Sequence, residues 1–275
     1  MSFVGLLATE SGPSVHIAPA GLFQFHGVTI TNSILYGAIC SFVLVLLFSI
    51  VAKRMTMKPK GGFTQIMEVG SDFITNILEG ALGSREKAIQ YSPYFTSIFF
   101  FIALTNILGL LPGVGEAVTY HGSPVFRAFT ADLNGTLAAA TISMIIIQYF
   151  AIRESGFFGH LRHYFAGKLW NPMTYLIGVY EVLNELIRVF SLALRLFLNV
   201  AIGEIIIAVF AYLGKAAAPI TAFPFLILEC GVALLQAYIF VMLSVTYLAL
   251  AMSSHGHEEE HVLEETAEHM GVGSV

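Results

Sequence analysis

Apolar positions along this chain collect into long uninterrupted runs. Residues 34–52 carry no charge, and similar runs fill 91–111 and 133–152. About 20 apolar residues make a helix long enough to cross a hydrocarbon core of about 30 Å. Each of these runs therefore predicts one membrane span. Two further segments, 172–213 and 219–252, are apolar over lengths well beyond one perpendicular crossing. They predict strongly tilted helices, running antiparallel. Residues 63–82 follow a different pattern. Phe63, Ile66, Met67, Phe73, Ile74, Ile77 and Leu78 share one helical face, and Gln65, Glu68, Asp72 and Glu79 share the other. That periodicity predicts an amphipathic helix lying in the membrane interface, either as a docking surface or as a plain connector.

Turn chemistry agrees with these limits. Asn32 or Ser33 is placed to cap the first span. Pro93 suits the first turn of the second, and Leu111-Pro112-Gly113 stops it. Gly214 and Pro219 turn the chain between the last two helices. Residues 1–32 then form an outer segment. Residues 33–252 form an all-α integral membrane domain of about five spans, and 253–275 a flexible acidic, His-rich tail.

Composition narrows the class. Only 11% of residues are charged and 56% are hydrophobic, against about 25% charged in a soluble domain. A soluble protein and a nucleic-acid surface are both excluded. The net charge of −5 arises mostly in the tail. Cys40 and Cys230 fall inside predicted spans, so no disulfide framework is implied. The opening MSFVGLLATESG lacks a basic n-region and a full h-region, and no cleaved signal peptide is expected. Of thirteen Lys and Arg, nine stand at 53, 54, 58, 60, 85, 87, 153, 162 and 168, all on one side of the expected topology. Arg127 and Lys215 stand on the other. This skew puts the N-terminus outside and the C-terminus in the cytoplasm.

The stretch 181–204, EVLNELIRVFSLALRLFLNVAIGE, changes the picture most. Glu181, Asn184, Glu185, Arg188, Ser191, Arg195 and Asn199 recur at steps of three, four or seven. They draw one polar stripe along an apolar rod. Arg195 is the deepest, and an arginine near the bilayer centre costs roughly 3 kcal/mol on insertion scales. It either pairs structurally with Glu185 or Glu181 or serves the function of the chain. Its guanidinium holds its proton at any physiological pH, so Arg195 is a fixed charge and not a proton carrier. Such a charge repels protons and drives a carboxyl group that slides past it towards the ionised form. Glu204 is nine residues on, across a straight helix from Arg195. In the last helix Glu229 and Gln236 are seven apart and share a face. An antiparallel pairing with Arg195 facing Gln236 sets Glu204 opposite about residue 227, close to Glu229.

These residues also carry a resemblance. Ser191-Leu-Ala-Leu-Arg195-Leu-Phe-Leu-Asn199, followed by Gly203-Glu204, resembles the signature of subunit a of F-type ATP synthases. Asn106-Ile-Leu-Gly-Leu-Leu-Pro112 and Thr130-Ala-Asp-Leu-Asn134 are similar to further segments of that family, and a weaker match runs from about 28 to 252. The resemblance implies a non-catalytic, cofactor-free stator of an ion-driven motor in a bacterial plasma (inner) membrane. Its implied partners are a rotor ring of subunit c bearing membrane carboxylates, the peripheral-stalk subunit b, the rest of the synthase and the lipid bilayer. The last two helices become a tilted hairpin against the ring. Arg195, Asn199, Glu204, Glu229 and Gln236 become the proton-translocation residues. Asn106, Asp132, Asn134, Glu181, Glu185 and Arg188 become candidates for lining the two half-channels, although Asp132 and Asn134 also suit plain helix caps. Family members commonly place a histidine at one of the positions matching Glu204 and Glu229; this chain has carboxylates at both.

Two other classes compete. A stand-alone secondary transporter calls for inverted repeats and paired broken helices, and none is visible. An intramembrane hydrolase calls for H-E-x-x-H or G-x-S-x-G, and neither occurs. His160 with His163, and His257 with His261, lack the further ligands of a metal site.

Overall fold

The structure is a computed structural model that describes residues 21–25, 28–54, 62–111, 119–120, 123–124, 126–156, 172–214 and 217–269. His160, His163 and Lys215 lie outside the described residues. In chain order the elements are β1 (Gly21–Phe25), β2 (Val28–Thr31), α1 (Asn32–Arg54), α2 (Gly62–Leu82), α3 (Arg85–Gly109), β3 (Thr119–Tyr120), β4 (Ser123–Pro124), a 3-10 turn (Phe129–Ala131), α4 (Leu133–Ser155), α5 (Pro172–Gly214) and α6 (Ala218–His269). Among the described residues, five helices are long and apolar enough to cross a membrane, over Asn32–Lys53, Arg85–Gly109, Leu133–Glu154, Gly178–Gly214 and Ala218–Met252. The all-α membrane architecture expected from the apolar runs is what the chain adopts. At 43 residues, α5 is about 65 Å long, twice a hydrocarbon core of about 30 Å.

Several boundaries differ from the sequence reading, each for a local reason. The helix α3 begins at Arg85, so Pro93 sits inside it and not in its first turn. Its early polar turns are held by Glu154 of α4. The Tyr91 hydroxyl donates to one carboxylate oxygen at 2.6 Å, and Lys87 pairs with the other at 2.9 Å. The last helix does not stop at Met252. Residues 253–269, expected as a flexible tail, continue α6 to His269. Glu, Ala and Leu are strong helix formers, and extending an existing helix avoids the cost of nucleation. On α2 the expected apolar face divides. Met67, Ile74 and Leu78 are buried, whereas Phe63, Ile66 and Phe73 stay exposed. Gly83, at φ 66°, separates α2 from α3.

Two compact units organise these elements. The first comprises residues 1–68, 97–136 and 193–239. In it the antiparallel β1–β2 hairpin runs straight into α1. Thr31, and not Asn32 or Ser33, caps this helix: its hydroxyl accepts the Ile34 N–H at 3.4 Å. Ser33 is thereby left to reach α4, and its hydroxyl donates to Asp132 at 2.5 Å. Segment 126–132, which leads into α4, is mostly buried. Phe129 seats against Gly37 of α1 and Gly135 of α4, where a Cβ on either glycine would come within 3 Å of its ring. The ring meets Phe101 edge-on at 5.9 Å.

The second unit comprises residues 69–96, 137–192 and 240–275. Ile74 and Leu78 are fully buried in it, and the hydroxyls of Thr75 and Ser92 lie 2.7 Å apart, linking α2 to α3. Tyr91 and Tyr94 both pack on Phe150, with centroids at 4.8 and 5.6 Å.

Candidate functional site

The chemistry-bearing residues of the first unit gather on the α5–α6 hairpin and on the segment that opens α4. Along α5, Ala193, Leu196, Val200 and Gly203 are buried at steps of three and four, which defines the inward face. The partner face of α6 buries Glu229, Ala233, Gln236 and Ala237. Three contacts fix an antiparallel register. A Cβ on Gly203 would overlap the Glu229 carboxyl, Phe210 stacks on Phe225 with centroids 3.8 Å apart, and a Cβ on Gly214 would overlap the Thr221 hydroxyl. The turn is tied by Thr221, whose hydroxyl donates to the Phe210 carbonyl at 2.9 Å. Seven residues towards the far end on each helix lie Leu196 and Gln236, so Gln236 is level with residues 195–199.

Arg195 points the other way. It is exposed, in a stripe with Leu194, Leu198, Ile202 and Ile206, all also exposed. In the second unit Glu185 accepts a hydrogen bond from the Gln148 amide of α4. Asn199 is half-buried. Its Nδ2, and the Nε2 of Gln236, make no hydrogen bond within the described residues. Buried amides of this kind mark the hairpin interior as polar where packing alone would make it apolar.

Glu204 is half-buried one turn past Val200. The charges of Glu229 and of Arg127 both act on it. Glu204 and Glu229, expected near one another from the register, are thus brought together. Arg127 was not foreseen. Its only sequence signal is that it is one of two cations, with Lys215, on the side of the chain poor in Lys and Arg.

The remaining expected residues divide. Asp132 is 3% exposed and is a true N-cap: its Oδ1 accepts the Asn134 N–H at 3.0 Å, while its Oδ2 accepts from Ser33. The cap accounts for only one of its oxygens. Asn134 is exposed. Asn106 is 3% exposed, and neither its Oδ1 nor its Nδ2 finds a partner among the described residues. In the second unit Arg188 lies 5.0 Å over the Tyr247 ring. The side chain of Glu181 lies outside the described residues. Gln148 and Tyr247, which satisfy Glu185 and Arg188, carried no sequence signal, because an amide and a phenol inside long apolar runs look like ordinary span residues.

The hairpin register has a direct check. With Cys40 and Cys230 replaced by alanine, cysteines at 203 and 229 are expected to cross-link on oxidation in membranes, and a pair at 195 and 229 to remain reduced. Eight residues along a helix is about 12 Å, beyond the reach of a disulfide. Stronger linking of the 195/229 pair would refute the register.

Comparison with known proteins places the whole hairpin in a known family. The family described as the ATP synthase A chain matches residues 34–249. ATP synthase subunit a 2 of Chlorobaculum tepidum is 30% identical over 268 residues, covering 92% of this chain and 71% of the relative. ATP synthase subunit a 2 of Prosthecochloris aestuarii is 30% identical over 271 residues, covering 93% and 78%. ATP synthase subunit a of Campylobacter concisus is 30% identical over 220 residues, covering 79% and 88%. The match takes in all five spans and the whole hairpin, and on that extent the chain belongs to the ATP synthase A chain family.

Proposed function

We propose that the chain is the proton-translocating stator subunit of the membrane sector of an F-type ATP synthase, and that Arg195 is the charge it presents to the carboxylates of a rotor ring of subunit c. The observation that carries this reading is the exposure of Arg195 in an apolar stripe within a span. A guanidinium set on that surface is costly in lipid and calls for a protein partner or a watery cavity against it. A passing rotor carboxyl that loses its proton near Arg195 pairs with it. When it moves on into lipid, it must take up a proton again, because an isolated carboxylate there is too costly. The proton arrives by one aqueous path and leaves by another, so net flow turns the ring.

Asn199, Glu204, Glu229 and Gln236 form the polar hairpin interior of the path next to Arg195. Asn106, Asp132 and Asn134 stand at its entrance, while Glu185 and Arg188, with Glu181, belong to the second path. The chain is not itself catalytic; ATP chemistry belongs to the rest of the complex. A peripheral-stalk subunit b is the further partner, and α2 with its exposed Phe63, Ile66 and Phe73 suits an interfacial contact. The setting is a bacterial inner membrane with the N-terminus outside and the C-terminus in the cytoplasm. The charge skew supports this orientation. A stand-alone transporter is not favoured.

Purification and vesicle assays test this reading. The chain is expected to co-purify with a multisubunit ATPase, and vesicles containing that complex to acidify on addition of ATP without sodium. A chain that isolates alone and transports ions when reconstituted alone would overturn the proposal.

A further inference from the structure

We propose that Arg127 is a positioning residue of the translocation path: a buried second cation that acts through Glu204 and sets the pH range in which that carboxyl exchanges protons. The inference rests on the functional reading above and adds a residue to it.

Arg127 is 6% exposed. It precedes Ala128 and Ala131, which form a buried cluster with Val200 of α5. Glu204 is one helical turn beyond Val200 on the same side of that helix. The packing of 128 and 131 against 200 thus delivers Arg127 to the level of Glu204. The guanidinium is also held in place: one terminal nitrogen donates to the Ala131 carbonyl at 3.0 Å, across the 3-10 turn. The seating of Phe129 between Gly37 and Gly135 fixes that turn in the same fold. A guanidinium so anchored cannot swing away. Arg127 and Glu229 are the charged groups that act on Glu204, one from the segment before α4 and one from α6.

The two arginines therefore differ in kind. Arg195 faces outward, towards whatever covers the hairpin, and Arg127 faces inward, towards the chain's own carboxyl. A fixed cation beside a carboxyl favours its charged form, and a neighbouring carboxylate favours the neutral form. Glu204 sits between one influence of each sign. A cation beside a buried carboxyl keeps its charged form within reach, which a group that accepts and releases protons requires. Removing Arg127 leaves only the opposing influence.

The test is the pH profile of ATP-driven vesicle acidification by the whole complex, with assembly followed by co-purification. Arg127→Gln is expected to assemble and to move the half-maximal pH upward by roughly one unit, the lower end of the effect of a neighbouring arginine on a carboxyl. Arg127→Lys, which keeps the charge, is expected to restore the profile. In a Glu204→Gln background, Arg127→Gln is expected to add no further shift, because the group it acts through is gone. An unchanged profile in Arg127→Gln, or an equal shift in the Glu204→Gln background, overturns the proposal. So does failure of Arg127→Gln to assemble in both backgrounds while Arg127→Lys assembles, since the cation is then needed only for packing. Failure of the wild-type complex to acidify vesicles at all would instead count against the stator reading.

Discussion

On the proposed function, Arg195→Ala is expected to abolish ATP-driven proton pumping while the complex still assembles and still hydrolyses ATP. The side chain is exposed and outside the packed face of α5, which is built from Ala193, Leu196, Val200 and Gly203. Truncating it leaves no cavity and unpairs no group among the described residues, so the hairpin keeps its fold. What disappears is the attraction between a fixed cation and a passing carboxylate. Two unit charges about 4 Å apart at an effective dielectric of 20 interact by about 4 kcal/mol, which is about a thousandfold in an equilibrium. Without it the rotor carboxyl has no reason to release its proton on one side before taking another from the other side. Arg195→Lys is expected to fail nearly as badly. Lysine carries a compact charge that is lost on desolvation, whereas guanidinium keeps its proton. Acidification of vesicles by either variant at the wild-type rate would remove Arg195 from the mechanism.

The second large effect is expected from the two carboxyls of the hairpin. Glu204→Gln or Glu229→Gln alone slows pumping and moves its pH optimum, because the remaining carboxyl still exchanges protons. The double substitution slows pumping by far more than the product of the single effects. That non-additivity is expected only for groups that interact. It rests on the close approach at Gly203: a glycine next to Glu204 lets the Glu229 carboxyl lie directly on the α5 backbone. Glutamine keeps size and hydrogen bonding but cannot carry a proton, so packing is preserved while the relay is cut. The prediction is read from initial rates of acidification across pH in all four forms. A double mutant that pumps as well as either single one, or single mutants with unaltered pH profiles, would mean that the carboxyls do not act as a relay.

How much of this was visible in the residues depends on the range of the interaction involved. The spans could be placed because a bilayer imposes one length scale on every helix, and residues 34–52 or 133–152 meet it by composition alone. The hairpin register was accessible because two helices joined by a short turn can pair in few ways. Spacing then put Glu229 near Glu204 before any coordinates did. Contacts between residues distant in sequence were not accessible. Nothing near Ser33 announces Asp132 as its partner, so Ser33 reads as a cap and Asp132 as another. Arg127 reads as a loop cation because its neighbours Ala128 and Ala131 pack on Val200, far along the chain. The tail misled for a different reason. Charge density suggested disorder, but residues 253–269 inherit a helix already nucleated upstream, and for strong helix formers extension is favourable.

The hydrogen bond between Ser33 and Asp132 joins residues 99 positions apart, and this has a consequence for how the protein is made. A ribosome adds about 5 to 20 residues per second. The start of α1 therefore emerges about 5 to 20 seconds before the carboxylate that completes it. During that interval the hydroxyl of Ser33, fully buried in the finished protein, has its local neighbour Thr31 at 3.0 Å but not the carboxylate. The β1–β2 hairpin and the Thr31 cap are local and form at once, so they hold the start of α1 in the headgroup region until α4 arrives. A nascent chain stopped between residues 60 and 130 therefore lacks the one hydrogen bond that ties Ser33 to the start of α4.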